Sequence, residues 1–122
     1  MEQGKIMLTM NEDLEGAIKE YLKLLEVEEY FEAHEVMEEA WHPLRLKKHP
    51  LANLTKGFIN AAIGFEHIKR NRKNVNIKAN RVMESYDRHI HLCKEDIVFY
   101  ELFLEAKNKV DKLREYHKAI LA

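Results

Sequence analysis

Apolar residues recur along this chain at the three-to-four-residue spacing of amphipathic helices. Leu14, Ile18, Tyr21, Leu22 and Leu25 make the first stripe, on a helix expected to start after Thr9 or Asn11, with Glu12 placed to complete a capping box. Glu26-Val27-Glu28-Glu29 reads as the turn into a second helix, where Tyr30, Ala33, Met37, Ala40 and Trp41 form one apolar face. Pro43 is expected to limit that helix, because the residue before a proline is pushed out of the α region. His42 to Pro50 then reads as a bounded basic loop. Beyond it Leu51, Leu54, Phe58, Ala61, Phe65 and Ile68 define a third helix, which Ile59, Ala62 and Ile63 make apolar well past one stripe, as a central helix requires. Gly57 and Gly64, seven apart, put two bare positions on one of its faces, where another helix can approach closely. Asn76 is expected to cap a fourth helix carrying Ala79, Val82, Met83, Tyr86 and Ile90. A last helix from about Asp96 turns Phe99, Phe103, Ala106, Val110, Leu113 and Ile120 inward. The pattern predicts an all-α fold: a compact single-domain bundle of four or five helices over residues 1–122. Helices two and three form its central antiparallel hairpin, with the first and last packed around them.

Composition agrees with this reading. Four Gly and two Pro leave few breakers, and 46% hydrophobic residues in 122 supply a core without staples. The lone Cys93 makes no internal disulfide, and no run approaches the roughly 20 apolar residues of a membrane span. A soluble cytoplasmic protein is expected. The net charge of −1 conceals opposed segments: residues 1–42 hold twelve acids and three bases, residues 43–94 three acids and twelve bases. Such opposition serves attraction between helix faces within the chain, or contact with a second copy or a protein partner. The pI of 6.7 and the lack of aromatics interleaved with the bases count against nucleic acid.

Chemistry concentrates in residues 30–41. A helical projection puts His34 and Glu38 one turn apart toward the buried side, Glu35 at the edge, and Glu32 and Glu39 outward. Buried polar groups need partners. In the structural account His34 donates to Glu38, or to a backbone carbonyl, beneath a largely buried Trp41. A second account makes His34 and Glu38 two ligands of a divalent metal, zinc, manganese or iron, with His67 as the third. His34-Glu35-x-x-Glu38 shares its first letters with the His-Glu-x-x-His zinc helix, but a carboxylate replaces the second histidine. A metal-free small-ligand or acid–base site at the same residues, hydrolytic chemistry included, is the third account. Lys56, Asn60 and His67 align on the side of helix three away from its main stripe, where solvent is the default. Nucleophile elbows and phosphate-binding glycine loops are absent from the sequence. His89, His91 and Cys93 alternate, and alternating side chains diverge on a helix.

Phe31-Glu32-Ala33-His34-Glu35-Val36-Met37-Glu38-Glu39-Ala40-Trp41 resembles the signature of the small helical proteins grouped as domain of unknown function family 309. Lys56-Gly57-Phe58-Ile59-Asn60-Ala61-Ala62, His67 and Asn71 look like the segment that follows the signature in that family, so the resemblance covers roughly residues 10 to 85. The start of the fourth helix, Ile77-Lys78-Ala79, departs from the family's pattern. The resemblance implies an all-helical bundle with His34, Glu35, Glu38, Trp41 and His67 in one cluster. It implies no reaction, since the family carries none.

Overall fold

The computed structural model describes residues 13–71 and 73–122, together with the helical backbone of residues 2–12. The side chains of Thr9, Asn11 and Glu12, on which the expected capping box depends, lie outside the described residues, as does Arg72. Six α-helices follow in order: α1 (Glu2–Glu26), α2 (Tyr30–Leu46), α3 (Ala52–Lys69), α4 (Val75–His89), α5 (Tyr100–Tyr116) and the short α6 (Lys118–Leu121), with a 3₁₀ turn at Ile90–Leu92 after α4. No strand occurs among the described residues.

α3 carries the packing, in contact with both α2 and α4. Its Phe58, Ile59, Ala61, Ala62 and Phe65 are wholly buried, and burial of each large apolar side chain stabilises the fold by about 1.5–3 kcal/mol. The phenyl ring of Phe58 lies among Tyr21 of α1, Tyr86 of α4 and Phe103 of α5, with ring centroids 5.4–5.9 Å apart. The Tyr21 hydroxyl donates to the Phe58 carbonyl at 2.7 Å. The small residues explain the close contact of α3 with α4. A Cβ at Gly57 would meet the Tyr86 Cα at 3.3 Å, and one at Gly64 would meet the Met83 side chain at 2.9 Å. The two bare positions therefore serve helix packing, as the sequence suggests.

Several boundaries differ from expectation. α1 is helical from Glu2, so the chain does not begin its helix after Thr9 or Asn11. α2 passes through Pro43 to Leu46, because the buried Leu44 anchors one more turn and the Lys47 amide closes onto the Pro43 carbonyl at 3.2 Å. The basic loop thereby shrinks to residues 47–51. α4 is preceded by Asn74 in the left-handed conformation, φ 58°, so Asn76 lies inside the helix and caps nothing. α5 starts at Tyr100, after a left-handed Phe99, rather than near Asp96. Phe103, Ala106 and Val110 are buried as expected, whereas Ile120 belongs to α6 and is exposed. α6 is tied to α4 by the Asn80 side-chain amide, which donates to the Leu121 carbonyl at 2.7 Å.

Candidate functional site

The buried face of α2 is Tyr30, Ala33, Met37, Ala40 and Leu44. A second row runs beside it: Phe31, His34, Glu38, Trp41 and Arg45 recur every three or four residues, so they share a face at the margin of the core. On α3 the row Lys56, Asn60, Ile63, His67 and Arg70 has the same periodicity. Two contacts join the rows. The Lys56 ammonium stands 4.3 Å from the Trp41 ring centroid, and the Arg70 guanidinium lies 5.8 Å from that of Phe31. By periodicity His34 and Glu38 lie on the α2 row between these two contacts, and Asn60, Ile63 and His67 lie between them on the α3 row. Glu35 is exposed on the outer edge of the α2 row, and Glu32 and Glu39 point away.

Each expected site residue can now be placed. Trp41 is partly buried, packed against the core where the apolar face of α2 meets solvent. Two cations cover its ring, Lys56 from α3 and Arg45 one turn along α2, the latter at 5.1 Å. Cations are drawn to the negative face of an indole, an attraction of about 0.5–1 kcal/mol at exposed sites. His34 is also half-buried, and its Nδ1 is 2.6 Å from the Phe31 carbonyl oxygen. Its imidazole also packs edge-on against the ring of Phe31. Of the two partners expected for His34, the backbone carbonyl is the one found; no hydrogen bond joins it to Glu38 among the described residues. A carbonyl only accepts, so Nδ1 carries the proton and Nε2 of the neutral ring keeps its lone pair. Lys56, Asn60 and His67 are half-buried rather than turned to open solvent, and Lys56 lies over Trp41 of α2. Among the described residues, no group of three or more His, Cys, Asp or Glu is placed to hold a metal ion. The Cys93 thiol is half-buried, and burial pushes its pKa up, away from the reactive thiolate.

The Arg45–Trp41–Lys56 stack was not visible in the spacing. Residues 41 and 45 are one helical turn apart, which was a signal for one of the two cations. The second needs the packing of α3 on α2.

A small bundle of helices with a polar and aromatic strip along one helix pair is the class of protein that fold and site define. The model of the family described as a domain of unknown function, DUF309, matches residues 18–78, which span the strip and both helices that form it, and the chain belongs to that family. No curated protein and no solved structure matches the chain.

Proposed function

We propose that this chain is an interaction module whose recognition surface is the α2–α3 strip, offered to a protein partner or to a second copy of the chain. One observation carries the reading. Phe31, His34, Glu38 and Trp41 of the family signature stand at the solvent margin, while Tyr30, Ala33, Met37 and Ala40 hold the core. A surface that mixes an exposed phenylalanine, a tryptophan, two carboxylates and several cations suits the centre of a protein interface, where aromatic residues and Arg are enriched. His34 has a local structural role through the Phe31 carbonyl, and the α2–α3 pair acts as the scaffold. The setting is a soluble, cytoplasmic one.

Thermal melts of His34→Ala and Glu38→Ala test this. Glu38→Ala, at a solvent-margin residue kept for recognition, is expected to cost about 0.5 kcal/mol or less, and His34→Ala up to about 1 kcal/mol through its lost bond to the Phe31 carbonyl. A loss of about 1–3 kcal/mol in both variants, the mark of broken buried partners, would reduce the strip to a packing device.

The His34 tautomer favours a second reading: a divalent metal or small ligand at His34, Glu38 and His67, open to hydrolytic chemistry. A histidine whose Nδ1 is held by a backbone carbonyl has the orientation that metal-binding imidazoles use, with Nε2 as the ligand atom. Under this reading untagged protein carries about one zinc, manganese or iron per chain, and His67→Ala lowers that content. Elemental analysis without metal, together with no thermal shift on adding Zn²⁺ or Mn²⁺, would remove it.

A further inference from the structure

A groove of about 760 Å³ lies on another side of the molecule, between the end of α1, the α1–α2 turn and α5. That is the volume range of small-molecule sites. Leu25, Tyr30 and Leu113 give it an apolar lining, and Tyr116 and His117 line it as well. The rings form a connected series: Tyr30 to Phe65 at 5.6 Å, Phe65 to His117 at 6.2 Å, and His117 to Tyr116 at 4.8 Å between centroids. Three carboxylates, Glu26, Glu28 and Glu105, face two lysines, Lys109 and Lys112. Lys109 is ion-paired with Glu26, and Lys112 also acts on that carboxylate, so the lysine charge gathers at the α1 end. Glu28 stands by the rings, and its charge is felt by both Tyr30 and His117. Lys69 donates to the Glu28 backbone carbonyl at 2.6 Å, and no ion pair of the Glu28 carboxylate occurs among the described residues. Glu28 holds a left-handed φ of 61°, a conformation that disfavours any residue with a side chain. One feature of the lining points to a ligand directly. The Tyr30 hydroxyl is shut off from solvent, in a residue 2% exposed, and has no hydrogen-bond partner. Polar atoms so placed are rare and call for an explanation such as an absent partner.

We propose that this groove binds a small organic cation that also carries a hydroxyl or ether oxygen, of the choline type. The ammonium group rests against Tyr116 and His117 beside the Glu28 carboxylate, as quaternary ammonium groups rest on aromatic faces. The oxygen reaches the Tyr30 hydroxyl and satisfies it. Burial lowers the pKa of His117 below its ordinary value, which favours the neutral ring at pH 7, so it does not repel the cation. Tyr116 is 81% exposed and free to fold over a bound ligand.

The test is an NMR titration of the whole chain with choline, alongside its uncharged analogue 3,3-dimethylbutan-1-ol and tetramethylammonium, which lacks the oxygen. Choline is expected to shift the resonances of Tyr116, His117 and the α1–α2 turn, and to bind at least about tenfold more tightly than the uncharged analogue. Tyr116→Ala, on an exposed side chain that leaves the fold intact, is expected to weaken choline by a similar factor. Tyr30→Phe is expected to erase the advantage of choline over tetramethylammonium. Co-flotation with phosphatidylcholine vesicles identifies a lipid headgroup as the source of the ligand; binding of free choline without flotation identifies a soluble one. Equal affinity for the uncharged analogue, or shifts untouched by Tyr116→Ala, would overturn the proposal. So would the absence of any shift at millimolar choline.

Discussion

At the scale of single residues, three buried tyrosines show how much a hydroxyl's partner matters. Tyr21 donates to the Phe58 carbonyl, whereas the hydroxyls of Tyr30 and Tyr86 are buried without a hydrogen-bond partner. Tyr21→Phe is therefore expected to cost about 0.5–1.5 kcal/mol, since it removes a buried hydrogen bond to a helix carbonyl. Tyr30→Phe and Tyr86→Phe in the ligand-free protein are expected to be neutral or to stabilise by up to about 1 kcal/mol, because each removes an unsatisfied group. Urea denaturation of the three variants checks both halves of the contrast. The sequence showed all three as apolar-face residues but held no sign of which hydroxyl finds a carbonyl 37 positions away. The same limit applies to the site. The projection of α2 set Glu32 and Glu39 apart from His34, correctly, yet it could not choose between Glu38 and a carbonyl as the imidazole's partner. That choice depends on a side-chain rotation of His34 toward its own preceding turn.

At the scale of elements, the glycines divide by what they face. Gly16 is exposed on α1 with nothing within 4 Å of an added Cβ, so Gly16→Ala is expected to stabilise by about 0.5–1 kcal/mol through helix propensity alone. Gly57→Ala gains the same propensity but drives a methyl group to 3.3 Å from the backbone of α4, which has no flexible end to yield. Overpacking of that kind costs about 1–3 kcal/mol, so the net effect is expected to be zero or destabilising. Midpoints of chemical denaturation for the two variants separate the cases. Helix identities and most inward faces were legible because their periodicity is strong, and α3 announced its central place by an apolar surface too wide for one stripe. Boundaries were less legible. Pro43 looked like a stop, but burial of Leu44 outweighs the local preference. At Asn74 and Phe99 the chain adopts left-handed backbone with no glycine to mark it.

For the whole molecule, the helices are fastened by burial, with ion pairs added at the seams. Arg114 of α5 meets Asp87 of α4 through two hydrogen bonds of 2.6 and 3.1 Å, and this pairing raises the guanidinium's pKa. Lys109 of α5 likewise reaches Glu26 of α1. Two histidines give the fold a pH dependence. Burial lowers the pKa of both His117 and His89 below the ordinary 6.5, so the unfolded chain takes up protons more readily than the folded one. Stability is then full above about pH 6.5 and is lost as pH falls through the lower folded values. Melting temperature is expected to decline from pH 7.5 toward pH 5, and His117→Gln is expected to flatten part of that slope. A melt that is flat across this range would show that neither ring is held neutral. The charge opposition along the chain was legible from the sequence; the pairing of α5 with both α1 and α4 was not, since it joins residues up to 83 positions apart.

The half-buried position of Trp41 has a practical meaning. It is the single tryptophan of the chain, and it lies in the α2–α3 strip rather than in the core, where Tyr21, Tyr30 and Tyr86 are sequestered. The molecule thus carries two separate optical channels. Indole emission, sensitive to water and to the cations over the ring, reports on whatever covers or uncovers the strip, while tyrosine absorbance reports on the integrity of the bundle. A partner that docks on the strip would alter the first signal and leave the second unchanged.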